Sequence, residues 1–284
     1  MPGSIDWGDT AAAGSHLLLF AGGSPRYASA GRRSRKEAIG SGLFSNVVCL
    51  QGHHLPELAP DRFQGPTDSD IWRTRGGGYW WWKAALLHAY VQLPELGADR
   101  IFYMDVGCHL NLSPGARTRF HDYERAVDTD GALLFHLQGR TDRAWTRPDV
   151  AQYLSMTDAE LDTPQVTSGF FGFANDARTR QVARRWNALC AFGGGALLED
   201  QEGTAGHVGH RHDQSLFSVV IKQMGYRTRA DETYTELPWS QGGRDWPVWA
   251  VRNRGGATFS THRLWFRIKD RCNRIACRLR PGPR

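Results

Sequence analysis

The sequence is poor in the features that most quickly sort a protein into a class. It has five cysteines in 284 residues, an odd number, at positions 49, 108, 190, 272 and 277, and no two form a CxxC pair. That scatter argues against a disulfide framework and a cysteine zinc site, and it suits reduced thiols in a cytoplasm. Long apolar runs are missing too: His16–Ala21 is far too short to cross a bilayer. The first residues are small and polar, without the apolar core of a signal peptide, and residues 1–15 read as a flexible leader. There is neither a GxGxxG fingerprint nor a P-loop, so those nucleotide-binding modes are not indicated. Internal repeats and low-complexity segments are absent.

What is present is an ordinary apolar fraction, 40%, with 23% charged residues, enough for a substantial core in a soluble protein. Eleven tryptophans stand out, several of them clustered. Such rings serve as platforms for sugars and equally as core filler. The net charge of +6 is unevenly placed. Arg263, Arg267, Lys269, Arg271, Arg274, Arg278, Arg280 and Arg284 face a single acid, Asp270, in the last stretch, which leaves the body close to neutral. Trp265, Phe266, Ile268, Ile275 and Leu279 alternate with those cations, the pattern of an amphipathic helix on an anionic membrane surface. With the charge confined to a terminus and no recognised module beside it, nucleic acid is not an expected partner.

Along the chain, HLLLFA (16–21) reads as a buried strand, followed by a glycine turn at Gly22 and Gly23, a helix over Ala28–Gly40 and a second strand at Asn46–Gln51. Strand, glycine turn, helix, strand opens a doubly wound α/β domain, whose ligands sit at carboxyl strand ends. Three glycines, Gly76–Gly78, precede an expected helix, Tyr79–Leu93. The run Ile101–Met104 predicts a strand ending abruptly in Asp105-Val106-Gly107, a carboxylate released where the backbone turns. Further on come a helix near Gly115–Val127, a strand at Gly131–Leu137, and helix starts at Thr146 and Thr157. An aromatic strand over Thr163–Phe173 is interrupted by Gly169 and Gly172, and a helix, Asp176–Ala191, follows. A glycine-rich loop then leads to His210-Arg211-His212-Asp213-Gln214 and a helix over Ser215–Met224. Two histidines and an aspartate at a helix entrance suit a site better than a solvated face.

In this order, RYASAGRRSRKEA, GGGYWWWKAALL, FYMDVGCHLNL, WTRPDVAQYL, QVTSGFFGF and HRHDQSLFSVV resemble the motifs of bacterial GT-A-type glycosyltransferases of polysaccharide and lipopolysaccharide assembly. The resemblance runs from about Leu17 to Tyr226. Ala84 replaces a usual proline, and Asp105-Val106-Gly107 is a reduced form of the DxD signature.

The resemblance implies an α/β fold: a single GT-A-like domain over 16–250 with a Rossmann-like mixed sheet flanked by helices, and a basic tail over 251–284. Residues 16–112 would form the donor half and 113–250 the acceptor half. The activity implied is transfer of a sugar from a nucleotide sugar, a UDP-sugar, to a glycan or lipid-linked glycan on the inner face of the cell membrane. Phe20, Ala21, Gly22, Arg26, Tyr27, Arg33, Lys83, Asp105 and Gly107 would bind the donor. Asp213 would be the general base if the reaction inverts the anomeric centre, whereas in a retaining enzyme Asp213 and Gln214 would bind the sugar or stabilise the ion instead. Gly169, Phe170, Phe171, His212 and Gln214 would border the acceptor. Asp105 and His212 would hold Mn²⁺ or Mg²⁺, bridging the diphosphate; His210 is an alternative to His212. The lone carboxylate of the DxG stretch also fits another reading, an inactive relative that binds glycan or nucleotide.

Overall fold

The structure is a computed structural model that describes residues 5–22, 24–60, 75–200, 208–233, 243–252 and 264. Among these residues the central sheet holds five strands in the order β2-β1-β3-β8-β5. They are β1 (Ser15–Ala21), β2 (Asn46–Gln51), β3 (Arg100–Met104), β5 (Ala132–Leu133) and β8 (Phe170–Ala174). β1 pairs in parallel with both β2 and β3, while β8 runs antiparallel to β3 and to β5. Strands from residues 16–112 and from 113–250 therefore share one mixed sheet. Smaller sheets join β4 (His109–Leu110) to β10 (Val248–Trp249), and β6 (Phe135–Thr141) to β7 (Pro164–Val166) and β9 (Arg229–Ala230). The expected strand over 131–137 is divided between two sheets, at Leu134.

Side chains alternate across the central sheet, as a strand period of two requires. Leu18, Phe20, Ile101, Tyr103, Phe171 and Phe173 point to one core, and Leu17, Leu19, Phe102, Met104 and Phe170 to the other. The first core is covered by α2 (Trp82–Tyr90), α4 (Ala177–Ala191) and α5 (Asp213–Gln223), with Trp82, Trp186 and Phe217 inside it. The second is covered by α1 (Pro25–Ser41) and α3 (Pro114–Asp130), through Ala30, Ala38, Phe120 and Tyr123. The result is α/β, a mixed sheet between two helical layers.

Two local departures from the sequence reading have plain causes. The expected helix over Tyr79–Leu93 begins at Trp82, because Gly76, Gly77, Gly78, Tyr79 and Trp80 all have φ between 61 and 85°. Five consecutive left-handed residues wind the chain against the following helix, and the glycines make that possible. A side chain at Gly76 would stand 2.4 Å from the Trp80 ring, so this glycine is needed for space as well. Residues 5–14, assigned above to a leader, lie against the body. Ile5 is buried, its N–H donates to Glu57 Oε1 at 3.0 Å, and Trp7 packs against Tyr90. Of the basic tail over 251–284, all but Val251, Arg252 and Leu264 lies outside the described residues. Among the described residues no helix is long and apolar enough to cross a membrane.

Gly172 tests the packing of the sheet. A Cβ there would fall 2.5 Å from Phe102 Cε1 and 3.2 Å from Val127 Cγ2, both buried. Gly172→Ala is expected to lower stability by about 1–3 kcal/mol through overpacking, read as a lower urea midpoint; an unchanged midpoint would show that the sheet and α3 separate freely.

Candidate functional site

The parallel strands β1 and β3 end on the same edge of the sheet, and antiparallel β8 begins beside the end of β3. Asp105 N–H donates to Gly169 O at 2.9 Å, which fixes the Asp105 turn against the Ser168–Gly169 entry to β8. Lys83, at the start of α2, and Asp213, at the start of α5, arrive from the helical layer over the same edge. The crevice is thus assembled from four separate elements.

The Lys83 ammonium is its centre. It lies 3.2 Å from Asp105 Oδ1 and 3.4 Å from Asp213 Oδ2, with Ser168 Oγ at 3.4 Å. Ser168 Oγ donates to Asp213 Oδ2 at 2.8 Å, and the Tyr103 hydroxyl donates to Asp105 Oδ1 at 2.7 Å. The side chains of Lys83 and Asp213 are 5% and 4% exposed, that of Asp105 36%. Asp105 is therefore the one member of this trio open to a ligand. Burial works to lower the Lys83 pKa, but Asp105 and Asp213 outweigh it and hold the amine charged above its ordinary range. Burial pushes Asp213 up to about 6, with Lys83 and Ser168 pulling the other way. Burial and the neighbouring Asp105 keep Tyr103 protonated well beyond its usual range, so it remains a donor.

The remaining sequence candidates divide. Arg26 is exposed on the first turn of α1 and Gly22, Tyr27 and Gly107 are partly exposed, all near these strand ends. Phe20 and Ala21 are interior: Phe20 stacks on Trp82 at 4.1 Å in one core, and Ala21, on the opposite face of the strand, is buried in the other. Arg33 is buried and bound to the protein rather than open to a phosphate. Its guanidinium donates to Val106 O at 2.5 Å and to Cys108 O at 2.9 Å, and pairs with Glu37 at 3.1 Å, pinning the turn after Asp105. Phe170 and Phe171, expected beside a sugar, are 1% and 0% exposed and fill the two cores on opposite faces of β8. Gly169 does stand at the crevice, where an added Cβ would lie 3.4 Å from Asp105 Oδ2. Gln214 is turned inward: its carbonyl accepts from Ser168 N–H at 3.4 Å and its amide donates to Gln165 Oε1 at 2.7 Å.

His212 occupies a neighbouring position, not the metal shell expected with Asp105. Its Nδ1 donates to Leu198 O at 2.6 Å and its ring stacks on Tyr79 at 4.5 Å. Nε2 is buried and has no hydrogen-bond partner among the described residues, standing 3.7 Å from Asp200, and burial lowers its pKa, which keeps the ring neutral. Its backbone, at φ 54° and ψ −118°, is strained for a residue with a side chain. His210 is likewise committed, between Arg147 N–H and Leu197 O. No group of three His, Cys, Asp or Glu side chains suited to a metal occurs among the described residues. The oxygen atoms that face one another at the crevice are already occupied by Lys83, so the residues present do not fit a divalent ion bridging them.

Three contributors were not named from the sequence. Tyr103 was readable in principle, since positions 103 and 105 share a face in an extended strand. Ser168 joins residues 45 and 85 positions away and leaves no local signal. Tyr79 depends on the left-handed turn.

Neither a family model nor a curated protein matches the chain. Among solved structures, it is similar to mouse xyloside xylosyltransferase 1 in its apo form, with TM-score 0.41 and 13% identity over 86% of this chain and 94% of that one. It is also similar to a glycosyltransferase involved in glycosylation of the major capsid of PBCV-1, with TM-score 0.42 and 9% identity over 89% and 98%. Neither overlap is close enough to transfer a substrate.

The Asp213 environment has a measurable signature. A carboxyl raised from 3.8 to about 6 in the fold contributes stability that is complete below its ordinary pKa and is lost as pH climbs through the folded value. The difference in unfolding free energy between wild type and Asp213→Asn should therefore shift against wild type between about pH 4 and pH 6. Urea titrations across that range measure it, and a flat difference would place Asp213 in an ordinary environment.

Proposed function

We propose that this crevice transfers a glycosyl group from a nucleotide sugar to a hydroxyl of a glycan. The observation that carries the reading is the shared Lys83 ammonium, which brings Asp105 and Asp213 to one strand end. It unites GGGYWWWK, FYMDVG and HRHDQ, three separate stretches of the family resemblance.

Glycosyl transfer breaks the bond from the anomeric carbon to the diphosphate and makes one to the acceptor oxygen, which loses its proton. Asp105, the exposed carboxylate, would receive that proton in an inverting displacement. Lys83 and Tyr103 hold its oxygens in a fixed orientation, and preorganised charge of this kind is where most catalytic stabilisation arises. Asp213 is too enclosed to touch an acceptor hydroxyl, so its role moves from base to positioning residue, setting the ammonium that sets Asp105. The departing diphosphate would meet Arg26 and the N-terminus of α1, a 17-residue helix beginning right after β1. A UDP-sugar donor, a lipid-linked acceptor and attachment of the basic tail to an anionic inner leaflet complete the proposal, as the resemblance suggests.

Incubation with a panel of nucleotide sugars and candidate glycans should release free nucleotide from one of them. Asp105→Ala and Lys83→Ala should each lower that rate by about a hundredfold or more, and Tyr103→Phe, which removes a single hydrogen bond, by about tenfold. Wild-type turnover in Asp105→Ala would sink the assignment.

A further inference from the structure

Five oxygen atoms surround Lys83 Nζ. They are Asp105 Oδ1 at 3.2 Å and Oδ2 at 3.5 Å, Asp213 Oδ2 at 3.4 Å, and Ser168 Oγ at 3.4 Å and backbone O at 3.5 Å. Two carboxylates, a hydroxyl and a carbonyl are the hard donor set that otherwise takes a divalent cation. Here that set encloses an ammonium. The amine is kept in place by more than its charge: it lies 5.9 Å from the Trp82 ring and 5.7 Å from the Tyr103 ring, and its side chain is only 5% exposed. Two cations do not share one small cage, because their repulsion in a poorly solvated site is as large as the attraction each would gain.

We propose that Lys83 is the resident cation of the crevice: its ammonium fills the oxygen cage of Asp105, Asp213 and Ser168, and the nucleotide donor binds without a divalent metal ion. The donor half of this statement rests on the glycosyl-transfer reading; the cage half does not. The lysine is then the element that balances the strand-end carboxylate, a task left open by the single acid of the DxG stretch. It also means that the amine suppresses a latent metal site. Removing it leaves two carboxylates and two Ser168 oxygens free to contract on an ion.

The test uses the full chain and two probes, Mn²⁺ followed by electron paramagnetic resonance, and UDP followed by tryptophan fluorescence. Wild type should show no stoichiometric Mn²⁺ binding, while Lys83→Ala should bind one ion at least about tenfold more tightly than wild type. The gain should disappear when Asp213→Asn is added. One Mn²⁺ per chain in wild type, lost in Asp105→Ala, would overturn the proposal, and that measurement stands even if Lys83→Ala does not fold. UDP should bind wild type equally well in excess chelator and in Mn²⁺; a tenfold weakening in chelator overturns the donor half. Should UDP bind in neither condition, it is the glycosyl-transfer reading that falls, and with it the donor half, while the Mn²⁺ titration still decides the cage.

Discussion

One ammonium serving two carboxylates governs how the crevice is built. Lys83 and Asp213 are almost entirely withdrawn from water, and either alone would carry a desolvation cost of several kcal/mol. Together, with the Ser168 hydroxyl and the Asp105 carboxylate, each has partners on the side it has lost solvent. The set also makes the layers interdependent. Lys83 comes from α2, Asp213 from α5, Asp105 from the end of β3 and Ser168 from the approach to β8, so none can move without leaving a charge unmatched. That mutual dependence lets a single strand end hold a carboxylate in one orientation while leaving it exposed to a ligand.

The support continues behind the crevice. Gln214, Ser218 and Lys222 recur every four residues on one face of α5. Gln214 reaches Gln165, Gln165 reaches Asp142, and Ser218 and Lys222 both close on Asp142 at 2.6 Å. A second buried aspartate is thus neutralised by a second lysine, and the intervening amides and hydroxyls join the two pairs through the interior. On the other face of the sheet Arg33 does comparable work for the loop after Asp105, capping the carbonyls of Val106 and Cys108. The motif residues turned into the interior hold in place those at the strand end.

The sequence made the scaffold easy to read and the site only half so. Strands such as Asn46–Gln51 and Arg100–Met104, and helices such as Ala177–Ala191, follow from periodicity and caps, which are local properties. Asp105, Lys83 and Asp213 were readable as candidates because each sits in a distinctive stretch. What could not be read is which side of a surface a residue ends on. Arg33 looks like a phosphate ligand and becomes an internal clamp; Phe170 and Phe171 flank a crevice glycine and still belong to the cores. His212 has the chemistry of a metal ligand, but its Nδ1 is used by Leu198 and its ring by Tyr79. Those outcomes depend on partners far away in the chain, and spacing alone does not encode them.

The turn from Gly76 to Trp80 winds with the opposite hand to every α-helix around it. For five residues the backbone is the mirror image of ordinary helical chain, and it leads directly into the helix that carries Lys83. The usual relation between chirality and fit is inverted there. An alanine of natural hand at Gly77 or Gly78 would be at odds with its own torsions, whereas its D-enantiomer would rest in a favoured basin. In that one stretch the position of Lys83 depends on glycines whose value lies in having no handedness at all.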